Sequence, residues 1–161
     1  GVHQFLGIPF ALPPVGSLRF KDPVDWRARY PRGWRPAQSA GSICVQPLLD
    51  GQDGWVGSES CLFLNVWAPT TPAAPRQVML YLHGGGFMQG SGTAYNSTTL
   101  ARKHDVVVVT VNYRLADLGF AHLAPSGGIA NFGLKDQQSA LRWVRQNIAG
   151  FGVTRPGTQS G

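Results

Sequence analysis

The residues in this chain best suited to chemistry are in the run Tyr81-Leu82-His83-Gly84-Gly85-Gly86-Phe87, where three glycines follow a short apolar stretch. Glycine has no Cβ to block an approach, so such a run can aim bare backbone N–H groups at a negative charge. When an ester or amide carbonyl is attacked it becomes a tetrahedral oxyanion, and donors placed for it lower the barrier by about 3 to 4 kcal/mol. The run therefore predicts an oxyanion hole. Two other readings compete with it. One is a turn chosen only for its backbone freedom. The other is a phosphate-binding loop, weakened by the lack of G-x-x-x-x-G-K-[ST] and of any lysine near the glycines.

An oxyanion hole serves a nucleophile, and no G-x-S-x-G occurs in the 161 residues. The tail Gly157-Thr158-Gln159-Ser160-Gly161 contains a serine, but Gln159 stands third of five, where a nucleophile elbow needs it, so Ser160 is not read as a nucleophile. In folds with that elbow the catalytic order is serine, acid, histidine. His3, His83, His104 and His122 all precede any such serine, so no general base is expected among them. His83 is expected to orient the glycine loop. The triad is thus expected in a longer parent protein, with little or no turnover by these residues alone.

Such a loop must be carried by a sheet. Leu62 to Trp67, Val78 to Leu82 and Val106 to Val111 read as strands, the last β-branched and apolar on both faces, as in a central strand covered on both sides. Ser97 to His104 reads as a crossover helix. Leu134 to Ile148 is the strongest helix, with Leu134, Ala140, Leu141, Val144 and Ile148 on its apolar face and Gly150 as its stop. Residues 1 to about 60 are interrupted by prolines and read as loop and short strand. Strands alternating with helices predict an α/β sheet flanked by helices. The glycine run then falls between a strand and the next helix, the context of the HGGG element in lipase and esterase oxyanion holes.

A hydrophobic content of 43% with 14% charge excludes a solvated disordered chain. The net charge of +6 gathers partly in Trp26-Arg27-Ala28-Arg29-Tyr30-Pro31-Arg32-Gly33-Trp34-Arg35. Basic residues among aromatics can bind nucleic acid. This stretch has two turn-formers, no helical period and no companion signature, so a solvated loop is the reading and no nucleic-acid partner is expected. No apolar run approaches the about 20 residues that span a bilayer, so no membrane partner is expected. Cys44 and Cys61 have no metal-ligand spacing, so no zinc site is expected, and acyl transfer through an oxyanion hole needs no metal or cofactor. The two cysteines fit either a disulfide, which favours an oxidising compartment, or two buried thiols.

Several further motifs in order give the glycine run its setting. Gly7-Ile8-Pro9-Phe10-Ala11 with Pro13 to Phe20, then Ser58 to Trp67, His83 to Phe87, Val107 to Arg114, and Asn131 to Gln137 together resemble the type-B carboxylesterases. That is the α/β-hydrolase family that includes the cholinesterases. The resemblance covers residues 5 to 152 and implies the N-terminal part of an α/β-hydrolase fold from a serine carboxylic ester hydrolase. It implies that Gly85 and Gly86 donate to the oxyanion and that Gly84 shapes the loop. It further implies a Cys44–Cys61 disulfide and two buried ion pairs, Arg19 with Glu59 and Arg114 with Asp136. The implied partner is a small carboxylic ester.

The chain also departs from the family pattern. Ser60 replaces an aspartate, and Ala116 and Ala130 each replace a glycine. The likeness ends at Gly152, which divides the chain into a carboxylesterase portion, 1–152, and a tail, 153–161, expected from a frameshift or truncation. The disulfide, if formed, favours a secreted or extracytoplasmic location. Two rival readings remain at this level: a cholinesterase-like adhesion module without a nucleophile, and a truncated product without function.

Overall fold

The computed structural model describes residues 1–27, 35–48, 53–71, 76–123, 128–129 and 131–153. Ala130, Ser160 and most of the Arg-rich stretch lie outside them. Among the described residues the main sheet has four strands: β1 (Val2–Pro9), β4 (Phe63–Pro69), β5 (Val78–Leu82) and β6 (Val107–Val111). Two short strands, β2 (Gln46–Pro47) and β3 (Trp55–Val56), form a separate antiparallel pair, as do β7 (His122–Leu123) and β8 (Gly128–Ile129). The helices are α1 (Thr98–His104), α2 (Ala116–Phe120) and α3 (Phe132–Asn147).

The sheet order is β1-β4-β6-β5, antiparallel across β1, β4 and β6 and parallel between β6 and β5. A parallel neighbour requires a crossover, and α1 lies on it as the sequence predicts. This is a mixed sheet flanked by helices, a partial α/β-hydrolase fold. The proline-rich opening segment also yields an eight-residue strand, β1, with a register shift between Phe5 and Ile8.

All five residues of β6 are buried, and the period-two alternation of a strand divides them between the two faces of the sheet. Val107, Val109 and Val111 join the main core with Leu64 and Val66 from β4 and with Ala140, Val144 and Ile148 at α3. Val108 faces the other way, against Trp67 and Ala101 of α1. A strand with helices over both faces must be apolar throughout, and the sequence of β6 reads that way.

Two expectations for α3 are corrected. Its inward face carries Phe132, Gly133, Asp136, Ser139, Ala140 and Val144, whereas Leu134 and Leu141 are 40% and 50% exposed. Its end is also displaced. The helix tightens into a 3-10 turn at Ile148–Phe151, Gly150 falls inside that turn, and Gly152 ends it in left-handed backbone at φ 81°.

Candidate active site

The parallel register of β5 with β6 delivers His83 and the glycines to one end of the sheet, beside Asn112 to Arg114 as they leave β6. His83 is 5% exposed. Its ring stacks on that of Tyr113 with centroids 4.4 Å apart, and the Tyr113 hydroxyl donates to the His83 carbonyl at 2.7 Å. Nδ1 lies 2.9 Å from the Gly84 carbonyl oxygen. That oxygen can only accept, so Nδ1 carries the proton and Nε2 keeps the lone pair. Nε2 is buried and has no partner among the described residues. Burial disfavours a second proton and pushes the imidazole below its ordinary value of 6.5, against the raising effect of the Gly84 hydrogen bond. His83 is therefore a neutral, stacked pivot at the start of the loop.

The turn itself is made by Gly85 and Gly86, at φ 116° and 62°. A Cβ at Gly85 would stand 2.0 Å from the Gln89 carbonyl oxygen, so no other residue fits that position unchanged. The N–H groups of Met88 and Gln89 both donate to the Gly85 carbonyl, at 3.0 and 3.2 Å. Gly84 has open space around its Cα and no left-handed backbone. Gly84 to Phe87 are exposed residues, and none of their N–H groups has a hydrogen-bond partner among the described residues. Backbone N–H groups left without acceptors are free to donate to an added group. The Phe87 carbonyl accepts from the Ala116 N–H at 2.8 Å, and the Phe87 ring meets that of Phe120 at 4.8 Å, which fixes the outer side of the turn.

The flanking residues are less uniform. Cys44 and Cys61 are joined by a disulfide, with Cα atoms 4.9 Å apart. Arg114 and Asp136 form a buried pair: Nε and Nη2 donate to the carboxylate at 2.8 and 2.7 Å, and the Arg114 backbone N–H adds a third bond at 3.1 Å. Burial pushes the Asp136 carboxyl upward against these three bonds, which favour its charged form. Arg19 and Glu59 also pair bidentately, at 2.6 and 2.7 Å. The expectation that this pair is buried is corrected, because their side chains are 47% and 26% exposed. Ser60 turns its N–H to the Ser58 hydroxyl at 3.1 Å.

His3 lies on β1 beside Phe5, and His104 closes α1. His122 lies on β7. No group of three or more His, Cys, Asp or Glu among the described residues could hold a metal ion. A cavity of about 570 Å³ opens between β1 and the end of α3, lined in part by Phe5, Trp26, Trp143 and Phe151, and no glycine of the loop lines it.

Sequence reasoning missed the far limb of the loop. Gly90 and Gly92 are held by the buried side chains of Gln46, Asn65, Thr110 and Asn112. Asn65 and Asn112 occur in the motifs quoted above, but nothing in those motifs shows what they hold. The available signal was polar residues interrupting otherwise apolar strand ends.

The profile of the carboxylesterase family matches residues 1–154. The chain belongs to that family. Among its relatives, para-nitrobenzyl esterase of Bacillus subtilis is 44% identical over 94% of this chain and 32% of its own length. Cocaine esterase of Oryctolagus cuniculus is 42% identical over 94% of this chain and 30% of its own. A solved PNB esterase superposes with TM-score 0.82 at 44% identity, covering 95% of this chain and 32% of that one. A Geobacillus stearothermophilus carboxylesterase gives 0.81 at 42%, with coverage of 95% and 32%. The chain thus spans about a third of the length of these relatives. No helix among its described residues is long and apolar enough to cross a membrane.

Proposed function

We propose that this chain supplies the oxyanion-binding loop of a serine carboxylic ester hydrolase. The carrying observation is the run of exposed residues from Gly84 to Phe87 whose N–H groups have no partner among the described residues, anchored by the buried neutral imidazole of His83. In the proposed reaction a serine Oγ, supplied by sequence beyond these 161 residues, bonds to the ester carbonyl carbon as a histidine takes its proton. The carbonyl π electrons move to oxygen, and the Gly85 and Gly86 N–H groups donate to the resulting alkoxide. Collapse expels the alcohol, which takes the proton from the histidine, and water then releases the acid from the acyl-enzyme by the same two steps.

Relatives named as esterases support a small-molecule ester as substrate. The Cys44–Cys61 disulfide supports an oxidising, extracytoplasmic setting. The 161 residues alone, lacking nucleophile and base, are proposed to be inactive. In the test, the full-length protein carrying this sequence should release p-nitrophenol from p-nitrophenyl acetate and lose that activity to a stoichiometric organophosphate. The 161-residue chain should release it no faster than buffer. An inert full-length protein, or organophosphate-sensitive turnover by the short chain, overturns the proposal.

A further inference from the structure

Gln46, on β2, belongs to none of the motifs that point to the site, yet it is 4% exposed. A buried amide is costly unless its polar atoms find partners. The Gly90 N–H donates to Gln46 Oε1 at 2.8 Å, and Nε2 donates to the Gly90 carbonyl at 3.0 Å. Nε2 also donates to the Cys44 carbonyl at 3.0 Å. One side chain thus offers Gly90 the paired donor and acceptor that a neighbouring strand would offer.

The position of Gly90 is tightly coupled to the start of the loop. Its φ is 117°, and a Cβ there would stand 2.4 Å from His83 Nδ1 and 2.5 Å from the Gly84 carbonyl oxygen. The residue before it, Gln89, donates its N–H to the Gly85 carbonyl, and its own carbonyl oxygen lies against the Gly85 Cα. Displacing Gly90 therefore moves the atoms against which His83, Gly84 and Gly85 are packed. Two residues on, the Gly92 N–H donates to Asn112 Oδ1 at 2.8 Å, which holds the limb at a second point.

We infer that Gln46 is a positioning residue of the oxyanion loop. Through Gly90 it holds Gly85 and Gly86 in the arrangement that receives the alkoxide, and through the Cys44 carbonyl it ties that arrangement to the disulfide-closed segment. The inference rests on the ester-hydrolase reading above. A residue that steadies the hole without touching substrate acts on the transition state more than on the ground state, so its loss should lower kcat and spare KM.

The test uses the full-length protein carrying this sequence, with Gln46→Ala and the volume-keeping Gln46→Met. With p-nitrophenyl acetate, kcat should fall about 10- to 100-fold while KM stays within about twofold. Hydrogen–deuterium exchange at the hydrogen-bonded amides of Met88, Gln89 and Gly92 should quicken about tenfold. Val144→Ala, on the inward face of α3 in the main core, reports the effect of a general loss of stability and should leave kcat within about twofold of wild type. Gln46 variants with wild-type kcat, or a kcat loss in Val144→Ala equal to theirs, overturn the inference. If the wild-type protein hydrolyses no ester, the ester-hydrolase reading fails first. In that case the exchange measurement decides whether Gln46 holds the loop: unchanged exchange at Met88, Gln89 and Gly92 overturns that, and faster exchange there upholds it.

Discussion

Ala116 sits at φ 46°, in left-handed backbone where a Cβ crowds the following carbonyl. It stands where the resemblance leads one to expect glycine, and the structure gives that difference a physical consequence. Its N–H holds the Phe87 carbonyl at 2.8 Å, so the strained residue is tied to the turn that carries the unpaired N–H groups. Ala116→Gly should relieve the strain and raise stability by about 0.5 to 1 kcal/mol, net of the added entropy of the unfolded chain. Thermal melts would show this as a higher Tm; an unchanged or lower Tm would mean that the site absorbs the Cβ without cost. The residue type at 116 was plain in the sequence. Its backbone conformation was not, because φ here is imposed by the join between β6 and α2.

At the scale of elements, α3 shows why periodicity misassigned a face. Leu134 and Leu141 fall at helical spacing with Val144, but Phe132, Asp136, Ser139 and Ala140 do so too, and this second stripe, continued by Val144, faces inward. The polar members are buried because partners await them: Asp136 meets Arg114, and the Ser139 hydroxyl donates to Asp25 at 2.6 Å. Asp25 also accepts from Arg142 Nη2 and Nε at 2.9 and 3.1 Å. The Arg142 hydrogen bonds, foremost, hold the Asp25 carboxyl below its ordinary value of 3.8. A depressed carboxylate pKa adds stability at pH values above 3.8, and that stability is lost as pH falls through the native value. The pair is partly exposed, so screening limits its worth to about 1 kcal/mol or less. Asp25→Asn should lower Tm modestly at neutral pH, and the gap from wild type should close as pH falls below about 4. Melts across an acid series would read this directly, and a gap independent of pH would refute it.

For the molecule as a whole, β5 is an edge strand among the described residues, paired only with β6. Its sequence is apolar on both faces, yet Met79, Tyr81 and Leu82 are 48%, 38% and 37% exposed. An open apolar edge is a template for pairing with another chain. The 161-residue chain, expressed alone, should therefore self-associate in sedimentation velocity as its concentration rises. Met79→Lys should reduce the association, since a lysine at an edge opposes strand addition. A monomer at every concentration would show that the edge is protected. The buried Arg114–Asp136 pair works at this scale as well, because it fastens α3 to the segment leaving β6. Nη1 of Arg114 reaches on to the Lys21 carbonyl at 2.9 Å, which brings in the opening segment.

The sequence by itself determined the features carried by short-range pattern. β6 reads as a central strand because it is apolar on both faces, the glycine run reads as a turn following β5, and five ordered motifs indicate the family. Tertiary structure decided whatever depends on which distant segments meet. It exposed Arg19–Glu59 and Leu134, buried Ser139, and brought Gln46 against Gly90, 44 positions away. Burial and hydrogen-bond partnership belong to pairs of elements, and a linear pattern records only one member of each pair.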